Sequence, residues 1–304
     1  MTDATTAGRR KKITIGVVAA VVVLIAIAAF VIVRALPSSD AAEPTATPTQ
    51  TASATPTPTE TPTPTETGFP ENTEQYDSSA LPVVDVFAVN PDLAVDDDPT
   101  GEVTDVLAQP NDGGAPVFTD PEGDPVGFLP HEQQYGGTIV PVIEQQDNWV
   151  KVLLTGRQAV PSQGDPSQVT GWLRMADVTL SHNDVHVEVD LTARTIDIVT
   201  GDDRETIATD FGSGTDQTPT PTGRVFIMHD EVVDSLEYTR GHPIVYLSVQ
   251  SPTLDGFDEQ SVAVTAFHYH DAHSGAISNG CLRLDAPVID RLAELPLGTV
   301  VYIS

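Results

Sequence analysis

Cysteine is nearly missing from this sequence: Cys281 is the single one in 304 residues. No disulfide can close within the chain, so any exported domain must rest on packed cores alone. A lone cysteine is then a buried small hydrophobe, a metal ligand or a nucleophile. Basic residues are also scarce, 14 Lys and Arg against 44 Asp and Glu, for a formal charge of −30. Beyond the first 34 residues that balance repels nucleic acid and gives lipid headgroups no polybasic patch. Tryptophan occurs only at Trp149 and Trp172.

Charge is absent altogether from the 21 residues 13–33, "ITIGVVAAVVVLIAIAAFVIV". At about 1.5 Å per residue such a helix is about 31 Å long, the thickness of a bilayer's hydrocarbon core. The apolar core of a cleavable signal peptide is shorter, about 7–15 residues. Arg9, Arg10, Lys11 and Lys12 precede the run and Arg34 follows it. The reading is a single-pass signal-anchor at 13–33 with a cytoplasmic tail at 1–12. The C-terminal bulk then lies outside the cell membrane, on the wall side. Beyond Arg34 stand nine basic and 43 acidic residues, a formal −34 that keeps an exported surface soluble.

From residue 34 to 80 the chain is rich in Thr, Pro and Glu, with "TPTPTETPTPTE" at 55–66. So few large apolar residues cannot offset chain entropy, which predicts a disordered linker. In polyproline II form its ~44 residues from 37 onward reach up to roughly 130 Å.

Residues 81–180 change to short alternating apolar runs, "APVFTD", "GTIVPVIEQQ", "NWVKVLL" and "TGWLRMADVTL", parted by turn signals such as "NDGG" and "PEGDP". This is the pattern of a small all-β unit. Its Trp-Val-Lys-Val strand and later Gly-Trp-Leu strand, carried by Trp149, Val152, Gly171 and Trp172, resemble bacterial SH3-like domains. Two roles are open for the tryptophans: core anchors of a spacer, or exposed rings that bind wall material.

Strand signals continue from Val185 in "VHVEVDL", "TIDIVT", "GRVFIM", "PIVYLSV" and "SVAVTAFH". One helix is expected near the end. Asp285 caps it, Pro287 suits its first turn, and Val288, Ile289, Leu292 and Leu295 share a face. The fold class is therefore mainly β with this one helix, besides the membrane run. Residues 183–304 are enough for a core of their own.

Two stretches of this last domain carry chemistry. "TPTPTG" at 218–223, followed by "RVFIM", resembles the Thr-Pro-Thr-Pro-x-Gly segment of the L,D-transpeptidase catalytic domain, the YkuD family. About sixty residues on, "SNGCLRL" at 278–284 resembles that family's Ser-His-Gly-Cys segment, with Asn279 where the family has histidine. "SVAVTAFH" supplies His268 at the end of a strand, as the family requires. The spacing from His268 to Cys281, 13 positions, is a few shorter than is usual there.

The residue types fit the same chemistry on physical grounds. A thiol attacks a carbonyl only as thiolate, so it needs a neighbour that takes its proton or holds the ion pair. His268 is the expected base, with His270, two residues on along an extended chain, as the alternative. Gly280 permits a tight backbone approach beside main-chain N–H groups able to form an oxyanion hole. Ser278 is placed to hold the turn. Arg283 offers a fork for a substrate carboxylate, and Asn279 stands beside it as a second substrate contact. "HYHDAH" with Cys281 also suggests a metal site, but no second cysteine or acidic spacing supports one, and no cofactor is expected.

The resemblance implies a membrane-anchored transpeptidase acting on peptidoglycan stem peptides through a Cys281 thioester, with sensitivity to carbapenems. An L,D-carboxypeptidase shares the same acyl-enzyme. A non-catalytic wall-binding protein is the reading from another class.

Overall fold

Short apolar runs that alternate with polar residues build strands, and nearly all of residues 68–304 is strand, turn or loop. The structure, a computed structural model, describes residues 68–304. The expected signal-anchor at 13–33, the tail before it and the linker up to residue 67 lie outside the described residues. Among the described residues no helix is long and apolar enough to cross a membrane.

The first half supplies β1 (Ala94–Val95), β2 (Val106–Pro110), β3 (Ala115–Val117), β4 (Gly127–Leu129), β5 (Val140–Gln145), β6 (Trp149–Leu154), β7 (Val169–Arg174) and β8 (Val178–His182). Six of them form a sheet in the order β1-β7-β6-β5-β2-β8, and β3 pairs with β4. All these pairings are antiparallel. The second half supplies β9 (Val185–Asp190), β10 (Thr195–Thr200), β11 (Asp203–Ala208), β12 (Gly212–Gly214), β13 (Gly223–Glu231), β14 (Ile244–Gln250), β15 (Val264–Tyr269), β16 (Gly275–Ser278), β17 (Leu282–Leu284) and β18 (Val300–Ile303). They form a ten-stranded sheet in the order β11-β10-β9-β18-β13-β14-β15-β17-β12-β16. The one α-helix among the described residues, α1 (Ala286–Leu292), is capped by Asp285, whose carboxylate accepts from the Val288 N–H. Its buried face is Val288, Ile289 and Leu292, with Leu295 just beyond, as the sequence pattern requires.

The two halves are less separate than their sequence suggests. In β13 every residue from Arg224 to Met228 is buried. Val225 and Ile227 pack into the core of the second sheet with Phe267, Leu282 and Ile289. Phe226 and Met228, on the opposite face, pack into the core of the first with Val140 and Leu173. A strand covered on both faces reads as a continuous apolar run, which "VFIM" is. Polar groups join the halves too. The Arg224 guanidinium donates twice to Asp96, at 2.8 Å each, with 5% and 1% of the two side chains exposed. Gln168, Ser248 and the Phe226 N–H form a buried hydrogen-bonded chain across the same junction.

One boundary moves. The linker expected to run to residue 80 has already given way to folded chain by Gly68. Phe69 stacks edge-on against Trp172 and Tyr76 against Phe118, while the Trp149 indole N–H donates to the Pro70 carbonyl at 2.9 Å. Two rings in nine residues bury enough apolar surface to fix a segment that its proline and acidic residues alone would leave open. Beneath this arm Trp149 is fully buried and Trp172 is 8% exposed, so both tryptophans pack as core.

Candidate active site

Strand alternation builds the site. Along β15, Phe267 points into the core of its sheet, while Val264, Ala266 and His268 line a cavity of about 470 Å³ on the other face. β17 runs parallel to β15, with Phe267 opposite Leu282 and His268 opposite Arg283. Leu282 and Leu284 enter the core, and Cys281 and Arg283 line the same cavity as His268. The period of two on adjacent parallel strands thus brings a thiol, an imidazole and a guanidinium to one face.

The loop carrying Cys281 is held by its own side chains. Ser278 Oγ accepts from the Gly280 N–H at 3.1 Å and donates to the Cys281 carbonyl at 2.6 Å. Gly280 has φ of 113°, where a Cβ would also come within 3.3 Å of the Pro219 carbonyl. Only glycine takes that conformation without strain. The Gly280 N–H is engaged in this turn, so its part is to shape the loop rather than to donate to an oxyanion.

The two sequence motifs, sixty positions apart, meet here. Thr218 Oγ1 donates to the Ser278 carbonyl at 3.1 Å, and the Thr215 N–H reaches the same oxygen at 3.3 Å. Thr220 Oγ1 accepts from the Gly214 N–H at 2.9 Å, tying the "TPTPTG" segment to the end of β12.

Protonation follows from burial and hydrogen bonds. His268 Nδ1 lies 2.9 Å from the Tyr269 carbonyl, an acceptor only, so Nδ1 carries the proton and Nε2 keeps its lone pair. Burial pulls the imidazole down to about 4, with Arg283 and His270 adding to the effect against the Tyr269 hydrogen bond. Burial pushes the Cys281 thiol up, opposed by the Ala266 N–H and Arg283. The thiol points towards the Val264 carbonyl at 3.9 Å. Burial thus opposes charge on both the thiol and the imidazole. The ion pair anticipated from sequence needs charge in a desolvated cleft, which burial disfavours.

His270 differs at the atom that matters. Its Nδ1 accepts from the Ala272 N–H at 3.0 Å, so its free lone pair is occupied and its Nε2 bears the proton. It lines the cavity beyond the end of β15, whereas His273 turns its Nδ1 to the His270 carbonyl. Asn279 is exposed at the cavity and Arg283 is half-buried there, its Nε without a hydrogen-bond partner.

Sequence reading missed the cavity's other walls. Tyr238, in the turn Glu237–Thr239, stacks edge-on against His268 at 5.3 Å and tilts over His270 at 5.8 Å. Leu254, Phe257 and Val262 form the opposite side. Neither segment belongs to a motif. The one signal in the sequence is large apolar residues set among turn formers, and it leaves their position open.

Among solved structures, the chain is similar to an L,D-transpeptidase from Mycobacterium smegmatis, at 15% identity and a TM-score of 0.30, over 51% of this chain and 90% of that one. It is similar to an L,D-transpeptidase from Stackebrandtia nassauensis at 21% and 0.30, over 41% and 57%. It is also similar to the Ldtfm–avibactam carbamoyl enzyme at 20% and 0.27, over 40% and 49%, and so spans about half the length of that protein. No curated protein matches the chain. Residues 184–303, which contain every residue of the cavity described above, match the YkuD family, the L,D-transpeptidase catalytic domain.

Proposed function

We propose that this domain is a cysteine-dependent transpeptidase that cross-links peptidoglycan stem peptides through a Cys281 thioester. The observation that carries the reading is the shared cavity of Cys281 and His268, with the imidazole held in the tautomer that leaves Nε2 free. His268 Nε2 takes the thiol proton as Sγ attacks the carbonyl of the donor's third residue. The C–S bond forms, the C–N bond to the terminal D-alanine breaks, and the imidazolium returns its proton to the leaving amine. An amine of a second stem then attacks the thioester. A C–N bond forms, the C–S bond breaks, and the amine's proton returns to the thiolate through His268. Arg283 binds a donor carboxylate and Asn279 contacts the peptide at the cavity mouth. Water in place of the amine makes the same site a carboxypeptidase.

The first sheet serves in this proposal as an SH3-like spacer. With both tryptophans under the chain's own arm, the non-catalytic reading, in which they bind wall material, lacks the exposed rings it needs. We further propose that residues 13–33 anchor the protein in the cell membrane with 37–304 outside. Protease added to intact protoplasts then shaves off the folded domains, and full protection refutes the topology. For the chemistry, intact-protein mass after carbapenem treatment is expected to show one adduct, located on Cys281. An unmodified protein whose thiol still reacts with iodoacetamide refutes the acyl-enzyme reading.

A further inference from the structure

The segment 251–263, "SPTLDGFDEQSVA", joins β14 to β15 and forms one wall of the catalytic cavity through Leu254, Phe257 and Val262. Its composition does little to fix its shape. Asp258 and Glu259 sit at φ of 50° and 64°, conformations that side chains other than glycine seldom adopt. Its ends close on each other, the Ser251 N–H donating to the Ala263 carbonyl at 2.8 Å, and its tip is closed by Phe257 N–H to Val262 at 3.0 Å.

The grip on its middle comes from the other half of the protein. Arg157, in the turn after β6, is 1% exposed. Its Nη2 donates to the Asp255 carbonyl at 2.6 Å and to the Ser261 carbonyl at 2.9 Å, one on each leg of the loop. The Asp255 carboxylate is held in turn by the Ser162 N–H at 2.9 Å and hydroxyl at 2.6 Å. A planar guanidinium across two carbonyls sets the distance between them, which a flexible side chain does not. This arrangement is a poor way to gain stability. Arg157 Nε and Nη1 are buried without hydrogen-bond partners, and such donors cost free energy.

We propose that Arg157 is a positioning residue of the active site: it fixes the width and placement of 251–263 so that Leu254, Phe257 and Val262 present an apolar wall to the aliphatic part of the donor stem peptide. This rests on the reading of the cavity as the donor site. The first half of the fold then sets one wall of the cavity besides spacing the domain, although none of its residues lines that cavity.

The test uses the full chain with Arg157→Met, which keeps length and removes the donors, and Arg157→Lys. Hydrogen exchange at 251–263 is expected to quicken about tenfold or more in Arg157→Met, with β6 and β13 unchanged. KM for a donor tetrapeptide rises about tenfold while kcat stays within about twofold, and Arg157→Lys falls between. Alkylation of Cys281 by iodoacetamide, too small to need the wall, keeps its wild-type rate. Unchanged exchange in the loop, or a loosened loop with unchanged KM, overturns the proposal. If Arg157→Met does not melt cooperatively, Ser162→Ala decides by the same two readouts. Failure of the wild type to consume the peptide sinks the transpeptidase reading, whereas wild-type turnover with an unaltered KM in the variant sinks only the positioning role.

Discussion

At the scale of single residues, the choice between two histidines turns on which nitrogen is free. Sequence placed His268 and His270 on one strand, and spacing could only rank them. What separates them is a pair of backbone contacts: the Tyr269 carbonyl leaves His268 Nε2 open, and the Ala272 N–H occupies His270 Nδ1. Such contacts depend on where the strand ends, which no motif records. Arg283 was legible from its type and spacing, and Tyr238 was not, since it reaches His268 from a distant turn. The protonation states carry a prediction. Because burial raises the thiol and lowers the imidazole, alkylation of Cys281 should climb with pH only above the ordinary thiol range, near pH 8.5, with no reactive limb at acid pH. His268→Ala should slow acylation of Cys281 at neutral pH by roughly 10²–10⁴-fold, and His270→Ala far less. A low-pH limb in the wild type would establish the ion pair instead, and loss of activity in His270→Ala alone would reverse the assignment of the base.

At the scale of elements, β15 was readable before any coordinates in "SVAVTAFH", whereas β17 was not, because the three residues after Cys281 are too few to show a strand's period. The helix was readable too, because cap, first-turn proline and apolar face agreed. The arm at 69–76 was not readable, since its two rings lie in a stretch whose composition is that of the linker before it. Their partners stand roughly 40–100 residues away in the sequence. The arm settles how the tryptophans are used in this fold. Trp149 is fully buried, stacks edge-on against Phe118 at 5.1 Å and gives its N–H to Pro70. Trp149→Ala should therefore cost on the order of 3–5 kcal/mol, seen as a lowered denaturant midpoint. A variant that keeps its stability but no longer sediments with isolated wall would restore the binding role.

At the scale of the whole molecule, two halves that look like separate domains in sequence share packed cores in structure. The cause is β13, whose two faces belong to two cores, and the Asp96–Arg224 pair buried beside it. Sequence shows the apolar run but not the second surface that covers it. Removing one partner of a buried pair strands the other charge, so Asp96→Ala should destabilise by about 3–5 kcal/mol. Calorimetry should show a single transition lowered as a whole, with no separate transition retained at the wild-type temperature. Two transitions, only one of them shifted, would show independent domains.

The account stands or falls on a covalent bond between Cys281 and a donor stem peptide, and that bond can be weighed. The full protein is mixed with a tetrapeptide donor ending in D-alanine, with no acceptor amine, and quenched in acid at short times. Intact mass should show the tripeptide acyl group added to the protein, mapped to Cys281, with free alanine released. Cys281→Ala should show neither. Alanine released by wild type and Cys281→Ala alike, or a wild-type protein that remains unmodified while its thiol is still alkylated, would contradict the thioester mechanism and the function built on it.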